Sequence, residues 1–248
     1  MEGPAFWAAA VVAATLVGMS KGGLPVVAML AVPLLALTVP PLTAAGLLLP
    51  VYVVSDIFGL WAYRRAFDRR VTAIVAAGGT LGVVLGWATA RLVPEAAVTL
   101  IIGLIGATFA LSLILRRGPP AEPRPARLAP GIFWGTITGF TSFVSHSGAP
   151  PYQVYVLPLG LSKAAFAGTT TVTFAYINAI KLLPYWALGM IDPSSLGTAL
   201  ILMPIAVASV FAGVWLVRIL PERLFFRLVI WALLALSLKL VFDGWTGL

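Results

Sequence analysis

The chain has 248 residues, 60% hydrophobic and 10% charged, with a mean hydropathy of +1.03, which is more apolar surface than a soluble fold of this length can hide. Its composition implies an all-α polytopic membrane protein, and its charge of +8 comes from short clusters between apolar runs, a positive-inside pattern that excludes a nucleic-acid role. The lack of cysteine rules out disulfides, thiolate metal sites and iron–sulfur clusters, and a single histidine argues against haem or a zinc cage, so no cofactor and no metal is expected.

The start, Met1-Glu2-Gly3-Pro4, lacks the basic region of a cleavable signal peptide, so the first apolar run is expected to be retained. That run is broken. Residues 5–19 and 24–37 are each about 15 long, roughly 22 Å of helix against a hydrocarbon core of about 30 Å. Between them lies Ser20-Lys21-Gly22-Gly23-Leu24-Pro25. Three uninterrupted runs follow at 41–63, 71–91 and 96–115, each about the 20 residues a spanning helix needs.

Residues 117–130, rich in Pro and Arg, suit an extended cytoplasmic linker. Beyond it the pattern returns. Two short apolar stretches, 131–144 and 150–160, flank Ser145-His146-Ser147-Gly148-Ala149-Pro150, and long runs follow at 164–186, 194–217 and 224–242. His146 lies 125 positions after Lys21 (146 minus 21), and Pro158 keeps that offset from Pro33. With a shift of three, Ala45-Gly46 meets Ala167-Gly168 and Asp56 falls opposite Asn178; further on, Arg91 to Glu95 meets Arg218 to Glu222. The chain therefore reads as two homologous halves, a first membrane repeat at 1–116 and a second at 131–248. Each half holds a broken helix or re-entrant hairpin plus three spanning helices. Hairpins invert the second half relative to the first and gather the basic loops at 64–70, 116–127, 161–163 and 218–227 on one side, so charge placement favours an inverted repeat.

Broken helices at matching places in two halves point to a transporter's binding site. Backbone leaves helical geometry at membrane depth only where protein or a water-filled cavity satisfies the freed groups. In each break a small residue is expected to make the turn and a proline to open the next arm, whose free amides and partial positive charge suit an anion. Lys21 adds a full charge and needs a cavity, a counter-ion or a substrate anion; snorkelling to an interface is the plainer alternative. His146, its positional partner, is expected to donate to an anion, to carry a coupling proton, or simply to cap a turn. Asp56, the only acid well inside a spanning run, either pairs with Lys21, carries a proton or sits solvated near a helix end. Ser20, Gly22, Gly23, Ser145, Ser147, Gly148, Thr169, Thr170 and Asn178 complete the candidate substrate-binding set, with packing by threonine an equal alternative. Lys181 is expected to snorkel, and Trp61, Tyr63, Tyr185 and Trp186 to form an interfacial belt. Ser145, His146 and Ser147 resemble parts of a hydrolytic site, but sequence neighbours do not provide nucleophile–base geometry and no second histidine is present, so no enzyme is expected.

These breaks, with Pro33 and Pro158 and the stretch from Ala167-Gly168-Thr169-Thr170 through Asn178 and Lys181 to Tyr185 and Gly189, resemble the TauE/SafE family of sulfite exporters over nearly the whole chain. The first half departs from the pattern in carrying Leu47 and Leu48 where the second has threonines. The resemblance implies a carrier of sulfite, an organosulfonate or a related anion in the bacterial cytoplasmic (inner) membrane, with export the leading direction. Uptake of a related sulfonate or carboxylate, and a scaffold role in a membrane assembly, are the alternatives. Expected partners are a small anion and membrane lipid, with a homodimer one admissible assembly.

Overall fold

The computed structural model describes residues 3–39, 41–90, 92, 94–115, 122–191 and 193–247. Arg91, Arg116 and residues 117–121 of the expected linker, Arg117 among them, lie outside the described residues.

Among the described residues the chain is helical throughout. The order is α1 (Pro4–Lys21), a 3₁₀ segment (Pro25–Leu30), α2 (Ala31–Leu35), α3 (Pro41–Tyr63), α4 (Arg69–Thr89), α5 (Glu95–Ile114), α6 (Leu128–Ser145) and α7 (Ala149–Val156). A 3₁₀ turn (Leu157–Leu159), α8 (Lys163–Ala187), α9 (Pro193–Ile219) and α10 (Glu222–Thr246) complete it. Local chemistry sets several of these ends. Asp68 caps α4, its carboxylate accepting from the Val71 amide at 2.9 Å, and Pro4 and Pro25 open their segments where a missing N–H goes unused. Five described helices are long and apolar enough to cross a membrane: Pro4–Lys21, Thr43–Tyr63, Arg69–Thr89, Leu196–Ile219 and Glu222–Thr246. Helix α8 is as long as α10 but less apolar, since Thr169 to Thr171, Asn178 and Lys181 occupy its interior. Outward-facing Leu81, Val84 and Leu85 on α4 and Trp231, Leu238 and Phe242 on α10 give the apolar exterior that lipid requires.

Two compact units form, and each draws on both sequence halves. The first holds Met1–Phe67 and Ala167–Leu220; the second holds Asp68–Phe166 and Pro221–Leu248. In the first unit α1 and α3 pack on α9, and the second arm of the break folds back on the first. Val32, Leu35 and Val39 share one apolar cluster with Phe6, Ala10, Ala13 and Val17, so the broken segment is a helical hairpin and not a kinked rod. In the second unit α4 packs on α6, α5 on α10, and α7 on both α5 and α6. There the Tyr155 hydroxyl donates to the Arg127 carbonyl at 3.0 Å, bringing the end of the second arm back to the start of α6.

The α1–α9 and α4–α6 seams are backbone contacts made through glycine. A Cβ on Gly18 would lie 2.0 Å from the Ala206 carbonyl oxygen, and one on Gly82 equally close to that of Thr136. Gly139 likewise faces the Gly79 carbonyl, where a Cβ would come within 2.1 Å. Close approach of this kind is how helices associate in lipid, where burying apolar side chains gains little.

Candidate functional site

The first break ends α1 with carbonyls that have no helical partner, and side chains from neighbouring helices take them up. Tyr63 donates to the Gly22 carbonyl at 2.5 Å, Thr171 to that of Lys21 at 3.2 Å, and Tyr52 to that of Ala28, in the second arm, at 2.9 Å. Protein, and not a water-filled cavity, satisfies these three groups. Gly23 makes the turn at φ +108°, where a Cβ would meet the Tyr63 hydroxyl oxygen at 2.6 Å. The second arm departs from expectation. It starts as a six-residue 3₁₀ helix, so the α-helical N-terminus expected to face an anion is absent.

Lys21 points its ammonium at Asp56, Nζ to Oδ1 at 2.8 Å, with both side chains 5% exposed. Asn178 donates to the other carboxylate oxygen at 2.8 Å, so the two residues placed opposite each other by the repeat touch directly. The Tyr52 ring lies 5.0 Å from the Lys21 ammonium. Lys181 is fully buried, which overturns the snorkelling expectation; its ammonium lies 5.7 Å from the Tyr185 ring and within electrostatic reach of Asp56 and Lys21. Tyr63 and Tyr185 are buried too, so they leave the expected interfacial belt, whereas Trp61 and Trp186 remain exposed at 60% and 70%. Among the described residues Lys21, Lys181 and Asp56 are the buried ionisable side chains of the acidic and basic types.

Of the remaining candidates in this unit, Ser20 is buried and donates back to the Val17 carbonyl at 2.6 Å, so its hydroxyl proton is engaged by its own helix. Gly22 packs against α9, where a Cβ would meet Gly213 Cα at 2.6 Å. Thr169 and Thr170 are buried on α8. Sequence reasoning missed Tyr52 and misread Tyr63, Tyr185 and Lys181. Helical spacing would have found them: Tyr52, Asp56, Gly59 and Tyr63 make one stripe of α3, and Thr171, Asn178, Lys181 and Tyr185 one stripe of α8.

His146 and the second break belong to the second unit. Here the turn is made by histidine and not by a glycine. His146 sits at φ 54°, the one left-handed non-glycine among the described residues, while Gly148 keeps φ −73°. The loop is held by the Ser147 amide donating to the Thr141 carbonyl at 3.2 Å and the Thr141 hydroxyl donating to the Ser147 carbonyl at 3.3 Å. Ser147 and Gly148 are buried; the Ser145 side chain lies outside what is described. Gln153 on α7, absent from the sequence-based set, is fully buried, and neither side-chain amide atom has a hydrogen-bond partner among the described residues.

Apolar spanning helices, a hairpin in each half and buried charges at the first break define a multi-pass membrane protein built to hold polar groups inside lipid. The family model described as sulfite exporter TauE/SafE matches residues 6–240, and the chain belongs to that family of membrane transporters. No curated protein and no solved structure gave a match.

Proposed function

We propose that this chain is a secondary carrier that moves a small sulfur-containing anion, sulfite or an organosulfonate, out across the bacterial cytoplasmic membrane by alternating access. The family supports the class of substrate. The observation that carries the reading is the burial of two lysines, Lys21 and Lys181, around the single buried carboxylate of Asp56. A lysine at bilayer depth costs about 2.5–3.5 kcal/mol on insertion scales, and a bound oxyanion offsets part of that cost. Thr169, Thr170 and Asn178 are the proposed neutral donors of the first unit; Ser147, Gly148 and Gln153 are separate candidate donors within the second.

In this reading Asp56 and the substrate compete for the Lys21 ammonium. While ionised, Asp56 holds Lys21; once it takes a proton it releases the ammonium to the anion, so a proton accompanies each substrate. His146 is the second candidate to carry that proton. The test is counterflow of labelled sulfite, thiosulfate, sulfonates and short carboxylates in proteoliposomes. Exchange of a sulfur oxyanion is expected, and Lys21→Met is expected to reduce it at least as much as Lys181→Met, because the Lys21 ammonium is the one Asp56 releases to the anion. No exchange of any anion by folded protein would leave the scaffold reading in its place.

A further inference from the structure

We propose that a pocket at the foot of the second hairpin binds the phosphate group of an anionic phospholipid. The pocket lies wholly within the second unit, has a volume of about 350 Å³, and is lined by Arg124, Arg127, Trp134, Val154, Tyr155 and Leu159 together with three prolines. Its frame is tied at two points. The Arg124 amide donates to the Pro158 carbonyl at 2.9 Å and the Tyr155 hydroxyl to that of Arg127 at 3.0 Å, so both arginines are held against the hairpin by their backbones. Their exposed guanidinium groups have no ion-pair partner among the described residues. Arg70 adds positive charge within electrostatic range of Tyr155; Asp68 is also in range, but its carboxylate caps α4 through the Val71 amide.

Guanidinium groups at the mouth suit a phosphate oxyanion, which accepts paired N–H donors. Phosphate chemistry could come from a lipid headgroup or from the free ion, and the walls decide between them. Val154, Leu159 and the half-buried Trp134 offer apolar surface that a free ion cannot use and that a glycerol backbone with its acyl chains can. The site also sits beside the charged linker, where the apolar helices begin and headgroups lie. It shares no residue with the buried charge cluster of the first unit.

The test is native mass spectrometry of the full-length protein released from vesicles containing equal phosphatidylglycerol and phosphatidylcholine. Wild-type protein is expected to retain phosphatidylglycerol selectively. Arg124→Gln with Arg127→Gln should weaken that retention by about twenty-five-fold, taking roughly a factor of five for each arginine near an anionic surface. Arg223→Gln with Arg227→Gln removes the same charge from exposed positions of α10 outside the pocket and should leave retention unchanged. All four side chains are exposed, and thermal unfolding checks that both variants fold. Equal loss in the two double variants would overturn the site in favour of general surface charge. Displacement of the lipid by inorganic phosphate at matched concentration would overturn the lipid assignment.

Discussion

At the scale of single residues, the Lys21–Asp56 pair is the most consequential contact. Removing one partner of a buried pair leaves the other charge unmatched and costs about 3–5 kcal/mol, whereas removing both leaves no orphan. Asp56→Asn and Lys21→Met are each expected to lower the unfolding temperature in detergent, and the double variant to recover much of the loss. Additive losses would mean that the two groups do not interact. His146 calls for a different experiment because it combines an unusual backbone with a titratable ring. Glycine adopts its left-handed conformation freely and a β-branched residue does not, so His146→Gly should keep stability while His146→Val loses about 1–3 kcal/mol. His146→Gln tests the ring alone. If the imidazole carries the coupling proton, this variant flattens the pH dependence of transport between about pH 6 and 8; an unchanged profile assigns the residue to the turn and leaves proton coupling to Asp56.

At the scale of elements, the glycine seams predict sharply position-dependent tolerance. Gly82→Ala places a methyl group 2.0 Å from a backbone oxygen that cannot swing aside, so α4 and α6 must separate, at about 1–3 kcal/mol or more. Gly197→Ala, on α9 with nothing within 4 Å of its added carbon, should be neutral; equal effects in thermal unfolding would refute the seam. The long helices were readable in the sequence because their runs are apolar and bounded by charge or proline: 41–63 was expected and Pro41–Tyr63 is found, 164–186 was expected and Lys163–Ala187 is found. Both breaks were readable for the same reason, as interruptions. The internal geometry of each break was not. Hydropathy does not separate a 3₁₀ start from an α-helical one after Pro25, nor does it reveal that His146, two residues before a glycine, would take the left-handed position. Asp56 was readable as a lone acid in an apolar run. The burial of Lys181 was hidden because a lysine within a long helix has the same composition whether it turns outward or inward, and only the phase of its stripe with Asn178 and Tyr185 tells them apart.

At the scale of the whole molecule, the proposed inversion of the two halves makes a direct prediction about sidedness. Single cysteines at Ala66 and Ala126 should react with a membrane-impermeant reagent only from the cytoplasmic side, and one at Leu188 only from outside. Labelling of position 188 from the cytoplasm in transport-competent protein would replace the inverted arrangement with parallel halves. Two contacts have matching places in the proposed halves: the first long helix of each packs on the fourth element of the other, α1 on α9 and α6 on α4. The hydrogen bond between Asp56 and Asn178 then takes on a historical meaning. If the halves descend from one ancestral subunit that dimerised, these two positions faced their own copies across a twofold axis, where a pair of ionised aspartates would have repelled each other. Fusion into one chain would then have freed the two copies to diverge, and an amide opposite a carboxylate is an asymmetric solution that a symmetric dimer of identical chains could never encode.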